Sequence, residues 1–245
     1  MKYYLILIIF IISCNPPEPE RIFQVVSNVS ECNGPYGYDC GDFTLLKQFV
    51  ELNSESFRHY LDIDGNGIID PLEFGYQVWD DGRLILLDLN YKLYEGTIMY
   101  PNSSDSSAST ELDPTNYRLK VIPDNIGDLD SLEYLILTDN EFSSIPASIG
   151  DLTKLKKIVV DQNTIVALPN EISHLINLER LYLSYNQIVS LPASFGNLIS
   201  LERFWADNNQ LDYLPESLGD LSQLEWLFLN DNSLQSIPES IGNLQ

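Results

Sequence analysis

Apolar residues recur at a fixed spacing through the second half of the chain. Leu132, Leu155, Leu178, Leu201 and Leu224 lie 23 residues apart, and each begins the pattern LxxLxLxxNxLxxLPxxLxxL. The alternation in LxxLxL predicts a short strand whose fourth and sixth residues face inward and whose third and fifth residues face outward. The asparagine is expected to turn the chain and to bond backbone groups that would otherwise be buried without partners. Each unit is therefore predicted to be a strand followed by a return segment.

The copies share an inward apolar position, an amide and a proline. The third apolar positions are Leu137, Val160, Leu183, Ala206 and Leu229. The asparagines are Asn140, Asn163, Asn186, Asn209 and Asn232, and the prolines are Pro146, Pro169, Pro192, Pro215 and Pro238. Upstream, residues 119–129 keep only the second half of the pattern, and residues 83–98 carry Lys92 in place of the asparagine. One copy cannot bury its apolar side alone, so we expect seven copies to stack into a sheet about 30 Å long.

This pattern resembles the leucine-rich repeat family over roughly residues 84–245. The resemblance implies an α/β repeat solenoid over residues 83–245, with short parallel strands on a concave face that binds ligands. Both ends of such a sheet need covers, and the N-terminal segment is expected to supply one of them. The chain stops at GNLQ without a polar terminal element. We therefore expect either a fragment of a longer repeat protein or a partner that covers this end.

The first residues, MKYYLILIIFIISC, have the organisation of an export signal. A lysine at position 2 precedes an apolar run over residues 3–12, which is shorter than the roughly 20 residues that a membrane-spanning helix needs. The end of this stretch, IISC, resembles the lipobox of bacterial lipoproteins. The resemblance implies a signal peptide over residues 1–13 and a diacylglyceryl-modified Cys14 as the first mature residue. The alternative is an ordinary cleaved signal with an incidental cysteine.

The residues after the signal predict a surface tether and a disulfide. Residues 14–30 include the Pro-rich stretch NPPEPE, which favours an extended spacer behind the lipid anchor. The protein is then expected to be exported and lipid-anchored at the bacterial outer membrane or cell surface. Besides Cys14, the chain has only Cys32 and Cys40, and an oxidising compartment favours a disulfide between them. Two free thiols are the alternative.

A second motif, DIDGNGIIDPLE at residues 62–73, has the spacing of an EF-hand calcium loop. Its oxygen ligands would be the side chains of Asp62, Asp64, Asn66, Asp70 and Glu73 and the carbonyl of Ile68. The loop lies within a predicted helical EF-hand-like module over residues 31–82, between an entering helix within residues 43–61 and an exiting helix within residues 71–79. Bound Ca²⁺ is expected to fix this module onto the first strand of the repeats. The alternative is an acidic turn that never holds a metal.

Stacking of registered copies places equivalent outward residues side by side on the concave face. The third-position column is Tyr134, Lys157, Arg180, Arg203 and Trp226, and the fifth-position column is Ile136, Val159, Tyr182, Trp205 and Phe228. Aromatic residues and arginine dominate the energetics of protein interfaces. The predicted partner-binding residues are therefore Tyr134, Lys157, Arg180, Tyr182, Arg203, Trp205, Trp226 and Phe228. Two other interpretations remain open: a charge ladder with Glu179, Glu202 and Glu225, and aromatic rings that only stiffen the sheet.

Charge and composition limit the functions that remain. The formal net charge of −23 would repel phosphate backbones and anionic headgroups, which excludes nucleic acid as a partner and leaves the lipid anchor as the membrane contact. The chain has no P-loop, GxGxxG or HExxH motif, and we expect no enzymatic activity. The sequence therefore predicts a surface-anchored, calcium-binding leucine-rich repeat protein that recognises a protein ligand. The alternatives are a glycan-binding adhesin and the recognition arm of a longer enzyme.

Overall fold

Seven strands form one sheet along the repeats, in the order of the sequence. The structure is a computed structural model that describes residues 39–53, 76–80, 83–89 and 118–244. It contains helix α1 (Cys40–Leu52) and the strands β1 (Tyr76–Asp80), β2 (Arg83–Asp88), β3 (Tyr134–Ile136), β4 (Lys157–Val159), β5 (Arg180–Tyr182), β6 (Arg203–Trp205) and β7 (Trp226–Phe228). Short 3₁₀ turns on the return side span Ile126–Asp128, Ala147–Asp151, Asn170–His174, Phe195–Asn197, Glu216–Asp220 and Glu239–Asn243.

The strands from β2 to β7 are parallel and stack without a register shift. Equivalent residues of successive repeats are direct partners, as in Lys157 with Arg180 and Ile158 with Leu181. The middle residue of each strand from β3 to β6 is buried and its two neighbours are partly exposed. This alternation confirms the prediction of a parallel-stranded repeat solenoid, because a period of two sends successive side chains to opposite faces.

A ladder of asparagines, buried in four of the five copies, fixes one repeat to the next. In Asn163, the side-chain amide donates to the carbonyls of Leu137, Val160 and Asp161, and Oδ1 accepts the N–H of Phe142. Asn140, Asn186, Asn209 and Asn232 repeat these four contacts in their own copies. Each bond contributes about 1 kcal/mol, and a buried amide without them would cost more. The predicted role of the asparagine in satisfying buried backbone groups is confirmed.

The asparagine turn needs a left-handed residue immediately before it. Asp139, Gln162, Tyr185, Asn208 and Asp231 occupy this place and have φ angles between 54° and 59°. The return segment that follows is extended at its proline and then forms a 3₁₀ turn, as at Pro146 (φ −68°, ψ 152°) before Ala147–Asp151. Proline suits this position because its ring fixes φ near the required value. Proline takes part in the turn through its carbonyl, which accepts the first hydrogen bond, so its missing N–H is not needed.

The number of repeats differs from the prediction of seven. Strand β2 pairs directly with β3, and Asn140 bonds both the carbonyl of Leu89 and the N–H of Leu119. In the other copies these two contacts go to a single preceding repeat, as Asn163 does with Leu137 and Phe142. The two irregular upstream copies are therefore the strand and the return segment of one repeat, with residues 90–117 between them. The described residues thus contain six parallel strands, and the seventh strand of their sheet is the antiparallel β1.

The prediction of an exiting helix within residues 71–79 is wrong for the residues of this range that the structure describes. Tyr76–Asp80 form strand β1, which pairs antiparallel with β2 from Tyr76 opposite Asp88 to Asp80 opposite Arg83. The stretch YQVWD contains aromatic and β-branched residues, which favour a strand. Only Asp81 and Gly82 separate the two strands, and Asp-Gly is a dipeptide typical of two-residue hairpins.

Helix α1 packs against the start of the solenoid. Leu45, Leu46 and Phe49 belong to the same buried core as Leu84, Leu87 and the later repeats. The carboxylate of Asp39 accepts the N–H groups of Gly41 and Asp42 at the first turn, which is a typical N-cap arrangement. The predicted entering helix within residues 43–61 is thus present over Cys40–Leu52, and residues 54–61 lie outside the described ranges.

Two polar contacts attach α1 to the repeats. Asp42, which is fully buried, accepts two hydrogen bonds from the guanidinium of Arg83 at 2.9 and 3.0 Å and one from the N–H of Leu84 at 2.7 Å. Asn53, at the end of the helix, accepts the N–H groups of Lys120 and Val121 and donates to the carbonyls of Phe49 and Val121. Asn53 therefore contacts the first return segment in the manner of the repeat asparagines. Helix α1 therefore covers the N-terminal end of the solenoid through hydrogen bonds between residues that the structure describes.

Several predicted features lie outside the described residues. These are the signal and lipobox with Cys14, the tether, Cys32, and the calcium loop with Asp62, Asp64, Asn66, Ile68, Asp70 and Glu73. Cys40 is disulfide-bonded, and its pairing with Cys32 stays a prediction. Among the helices of the described ranges, none has the length and apolar character to cross a membrane.

Candidate functional site

The sheet presents two columns of outward residues that the repeat period predicts. Register pairs join Tyr134 to Lys157, Lys157 to Arg180, Arg180 to Arg203 and Arg203 to Trp226. In the parallel column two residues further along each strand, Tyr182 pairs with Trp205 and Trp205 with Phe228. All these side chains are partly or largely exposed, while the residues between them in each strand point into the core. The structure therefore brings the predicted partner-binding residues onto one face.

The aromatic residues of this face form a continuous stack. The ring centroids of Tyr182 and Trp205 are 4.2 Å apart with an interplanar angle of 30°, and those of Trp205 and Phe228 are 5.4 Å apart at 26°. Trp226 extends the stack from the neighbouring column, 6.1 Å from Phe228 and nearly parallel to it. Trp226 is 51% exposed. A flat apolar strip thus crosses three strands, which is the kind of surface that buries well under a ligand.

The cations of the other column lie beside this strip. The ammonium of Lys157 is 5.4 Å from the centroid of the Tyr182 ring. Burial, and then the neighbouring Arg180, lower the pKa of Lys157, while Asp88 and Asp161 act in the opposite direction. Arg180 and Arg203 form no ion pair with a described residue, and Nε of each is buried without a hydrogen-bond partner.

The charge ladder with Glu179, Glu202 and Glu225 is absent from the described residues. None of the three carboxylates forms an ion pair with the cation column there. The ion pair that does link neighbouring repeats near the face is Lys156 with Glu133, at 2.8 Å, and its hydrogen bond raises the pKa of Lys156. The two arginines are thus left without the neutralising partners that this alternative supplied.

Two aspartates on the same side were missed by the sequence analysis. Asp161 and Asp207 follow the sixth, inward residue of their strands, and each accepts the N–H of the equivalent residue one repeat later, Ser184 and Asn230, at 2.7 Å. Burial raises the pKa of Asp161 to about 6, against the lowering effects of the Ser184 N–H and Lys157. The period-two alternation that exposes the third and fifth residues also exposes the seventh. The sequence analysis applied this alternation only up to the sixth residue of each repeat and so did not include the seventh.

A shallow groove opens at the edge where the strands turn into the return segments. Its lining comes from Arg118, Asp139, Asn140, Glu141, Gln162, Asn163, Thr164 and Tyr185. Much of this lining is already engaged: Arg118 pairs with Asp139 at 2.7 Å, and Asn140 and Asn163 bind backbone groups in the ladder. Among the described residues, no cluster of His, Cys, Asp or Glu could hold a metal ion. The outward face of β4–β7 is therefore the candidate site.

Comparison with protein-family models matches parts of the repeat region. A leucine rich repeat model matches residues 153–211, and a second one matches residues 131–152 and 223–244. These matches cover less than half of the chain and fall on the units that the 23-residue period defines. The repeats of this region are thus leucine-rich repeats, which confirms the expected fold. A comparison with curated proteins finds no match.

Several solved structures match about half of this chain. A leucine-rich repeat protein of Leptospira interrogans is 33% identical over 52% of this chain, with a TM-score of 0.48. A plant peptide hormone receptor in complex with RGF2 is 36% identical over 50% of the chain, with a TM-score of 0.47. An internalin from Listeria monocytogenes is 24% identical over 52%, with a TM-score of 0.46. The alignments span only 34%, 21% and 36% of those chains.

Proposed function

We propose that this protein recognises a protein ligand through the concave face of its repeat solenoid. The observation that carries the proposal is the aromatic stack of Tyr182, Trp205, Phe228 and Trp226, which stays partly exposed beside two arginines without charge partners among the described residues. Aromatic and arginine side chains offer large contact areas with directional polar groups, and such residues carry most of the binding free energy at protein interfaces. A parallel-stranded solenoid also holds them rigidly, so little ordering entropy is lost on binding.

The aromatic rings stiffen the sheet as well, but that role does not explain their exposure. A ring that only supports the sheet gains most when it is covered by its neighbours. Trp205 and Tyr182 remain partly accessible although each lies on a strand with neighbours on both sides. A ligand that covers this strip would remove the remaining apolar surface from water, at about 25 cal/mol per Å².

Selection from a phage-displayed library of random peptides tests this proposal. Enriched peptides should lose at least about 10-fold in affinity on Trp205→Ala or Trp226→Ala. The control is Ile199→Ala, which removes an apolar side chain that is 55% exposed outside the strands. Circular dichroism melting identifies any variant that fails to fold. Peptides that bind equally to the wild type and to both tryptophan variants would contradict recognition through this face.

A glycan ligand is a second candidate for the same face. The nearly parallel rings of Trp226 and Phe228 offer flat apolar surfaces, on which the apolar faces of sugar rings pack. A glycan array separates the two candidates: oligosaccharide binding that depends on Trp205 and Trp226, without enrichment of any peptide, would favour an adhesin.

We further propose that the protein is a calcium-binding lipoprotein displayed at the cell surface. The support is the ligand spacing of residues 62–73 and the IISC motif that ends at Cys14. If Ca²⁺ binds the folded protein, melting in millimolar calcium should give a higher Tm than melting with a chelator, because a ligand of the native state stabilises it by mass action. Asp62→Asn with Glu73→Gln should abolish this difference. Metabolic labelling with palmitate, with Cys14→Ser as the control, tests the lipid anchor.

A further inference from the structure

Two arginines on adjacent strands of the concave face lack charge partners among the described residues. Arg180 and Arg203 are register partners in the β5–β6 pair, so their side chains leave the sheet next to each other. Neither forms an ion pair with a described residue, and Nε of each is buried without a hydrogen-bond partner. Like charges on neighbouring strands repel, and a buried donor without a partner is costly. An anionic group placed between the two guanidinium groups would relieve the repulsion between them.

The third cation of the column is compensated differently. Lys157 feels Asp88 and Asp161, which both raise its pKa against burial and Arg180, and its ammonium also faces the Tyr182 ring. Arg180 and Arg203 therefore carry the positive charge of this column that has neither an ion pair nor an aromatic contact among the described residues. This places the expected anionic contact over strands β5 and β6, beside the centre of the aromatic stack.

The cation pair and the aromatic stack run parallel to each other across the sheet. The two columns are two residues apart along each strand, which corresponds to about 7 Å. Trp205 stacks on Tyr182 on one side and on Phe228 on the other. An extended peptide that crosses the strands between these columns would direct alternate side chains to opposite sides, because its side chains have a period of two. One set would reach the guanidinium groups and the other would reach the rings.

We propose that the concave face binds an extended acidic segment of a partner protein, in which carboxylates alternate with flat apolar residues. The carboxylates bind Arg180 and Arg203, and the apolar residues cover Tyr182, Trp205 and Phe228. The planar guanidinium group is suited to donating two parallel hydrogen bonds to one carboxylate. This inference rests on the proposed function and assigns the chemistry of its ligand.

The charge of the whole chain selects among anionic partners. A net charge of −23 repels highly charged polymers and surfaces in proportion to their own charge, so nucleic acid and anionic membranes are disfavoured. A segment with two or three carboxylates suffers little of this repulsion, since charges separated by more than about 10 Å in water are screened at ordinary salt. Its contact with the two arginines is direct and local. A short acidic peptide therefore fits where a polyanion does not.

Three synthetic peptides test the inference against the full-length chain. One alternates glutamate with phenylalanine, the second alternates lysine with phenylalanine, and the third alternates glutamate with glycine. Isothermal titration or tryptophan fluorescence should show that the first peptide binds at least about 10-fold more tightly than either of the others. The same preference should appear as acidic and aromatic residues in the peptides enriched from the random library.

A charge-matched pair of variants locates the contact. Arg180→Gln with Arg203→Gln should weaken the glutamate–phenylalanine peptide about 10- to 100-fold. The control is Lys120→Gln with Lys154→Gln, which removes the same total charge from exposed lysines outside the strands and should change the affinity less than about twofold. Equal losses in the two double variants would mean a general charge effect and would overturn the inference.

The outcomes separate this inference from the proposed function. Enriched peptides that depend on Trp205 but carry no acidic residues would overturn the acidic ligand and leave protein recognition intact. Binding of uronic-acid or sulfated oligosaccharides that depends on Arg180 and Arg203, without peptide binding, would overturn both. Failure of every library peptide and of the glutamate–phenylalanine peptide to bind the folded wild-type chain would also overturn both.

Discussion

Burial alters the titration of one carboxylate on the concave face. Asp161 is partly buried and accepts the Ser184 N–H at 2.7 Å, yet burial raises its pKa from 3.8 to about 6. The folded protein therefore binds more protons than the unfolded chain between about pH 4 and pH 6. The contribution of Asp161 to the free energy of unfolding is largest below pH 4. It decreases as the pH rises through 6 and stays constant above that.

Asp161→Asn tests this pH dependence. The amide keeps an oxygen that can accept the Ser184 N–H but has no charge to desolvate, so the variant should be more stable than the wild type at pH 8 by about 1–3 kcal/mol. The measurement is urea unfolding across pH 4–8. The two proteins should have similar stability at pH 4, which serves as the internal control. A variant that is less stable at pH 8 would show that the carboxylate is a net stabilising group.

The outward residues could be predicted from the sequence because they follow from the period alone. Once Leu201, Phe204 and Ala206 are assigned inward, Arg203 and Trp205 must face outward, and the structure agrees. Contacts between side chains do not follow in the same way. The stacking of Trp205 between Tyr182 and Phe228 depends on rotamers. That the arginines form no ion pair within the described residues depends on the rotamers of the neighbouring glutamates.

At the scale of the element, the return segments approach one another closely at a glycine. A Cβ at Gly150 would lie 2.5 Å from the carbonyl oxygen of Glu171 and 2.8 Å from its Cβ, whereas a Cβ at Gly242 would meet no atom within 4 Å. Ser173 holds the equivalent place in the next repeat, and the turn that packs after it, Phe195–Asn197, is shorter than Asn170–His174. Glycine is thus required where the turn of the next repeat is one of the longer 3₁₀ turns, which is also the case at Gly127 and Gly196.

Gly150→Ala and Gly242→Ala form a matched pair that tests this packing. Gly150→Ala should destabilise the protein by about 1–3 kcal/mol, because neighbouring backbone must move to admit the methyl group. Gly242→Ala should be neutral or slightly stabilising, since alanine loses less backbone entropy on folding. Thermal melting of both variants provides the comparison. Equal Tm values for the two would show that the return segments separate without cost.

Element boundaries were predictable only where the repeat is regular. The five registered copies and the parallel sheet follow from the 23-residue period. Residues 90–117 interrupt the first repeat, so the sequence analysis counted its two halves as separate copies. Strand β1 was missed because the calcium-loop pattern predicted that a helix follows the loop. The Asp81-Gly82 dipeptide between two apolar stretches was the signal for the hairpin.

Across the whole molecule, burial is uneven from one end of the solenoid to the other. Leu181, Leu183 and Ile188 of a central repeat are fully buried, whereas Leu227, Leu229 and Leu234 of the last described repeat are only partly buried. At the other end, α1 supplies Leu45, Leu46 and Phe49 to the core. Each repeat contacts only its neighbours, so local stability follows the contacts that each neighbour provides. Opening is therefore expected to begin at β7.

Hydrogen exchange of the full chain measures this gradient. Amides of β4 and β5 should exchange most slowly, and those of β7 and the turn Glu239–Asn243 should exchange fastest, because partial opening at the end exposes the least apolar surface. Asn53→Ala removes three hydrogen bonds from the end of α1 to Lys120 and Val121 and one to Phe49 within the helix. It should accelerate exchange in α1 and residues 118–129 without affecting β5. Asn197→Ala, an exposed residue of the return side, should leave the pattern unchanged. Uniform exchange along the solenoid in both variants would mean that the repeats open only together, and that α1 closes the N-terminal end without adding local stability.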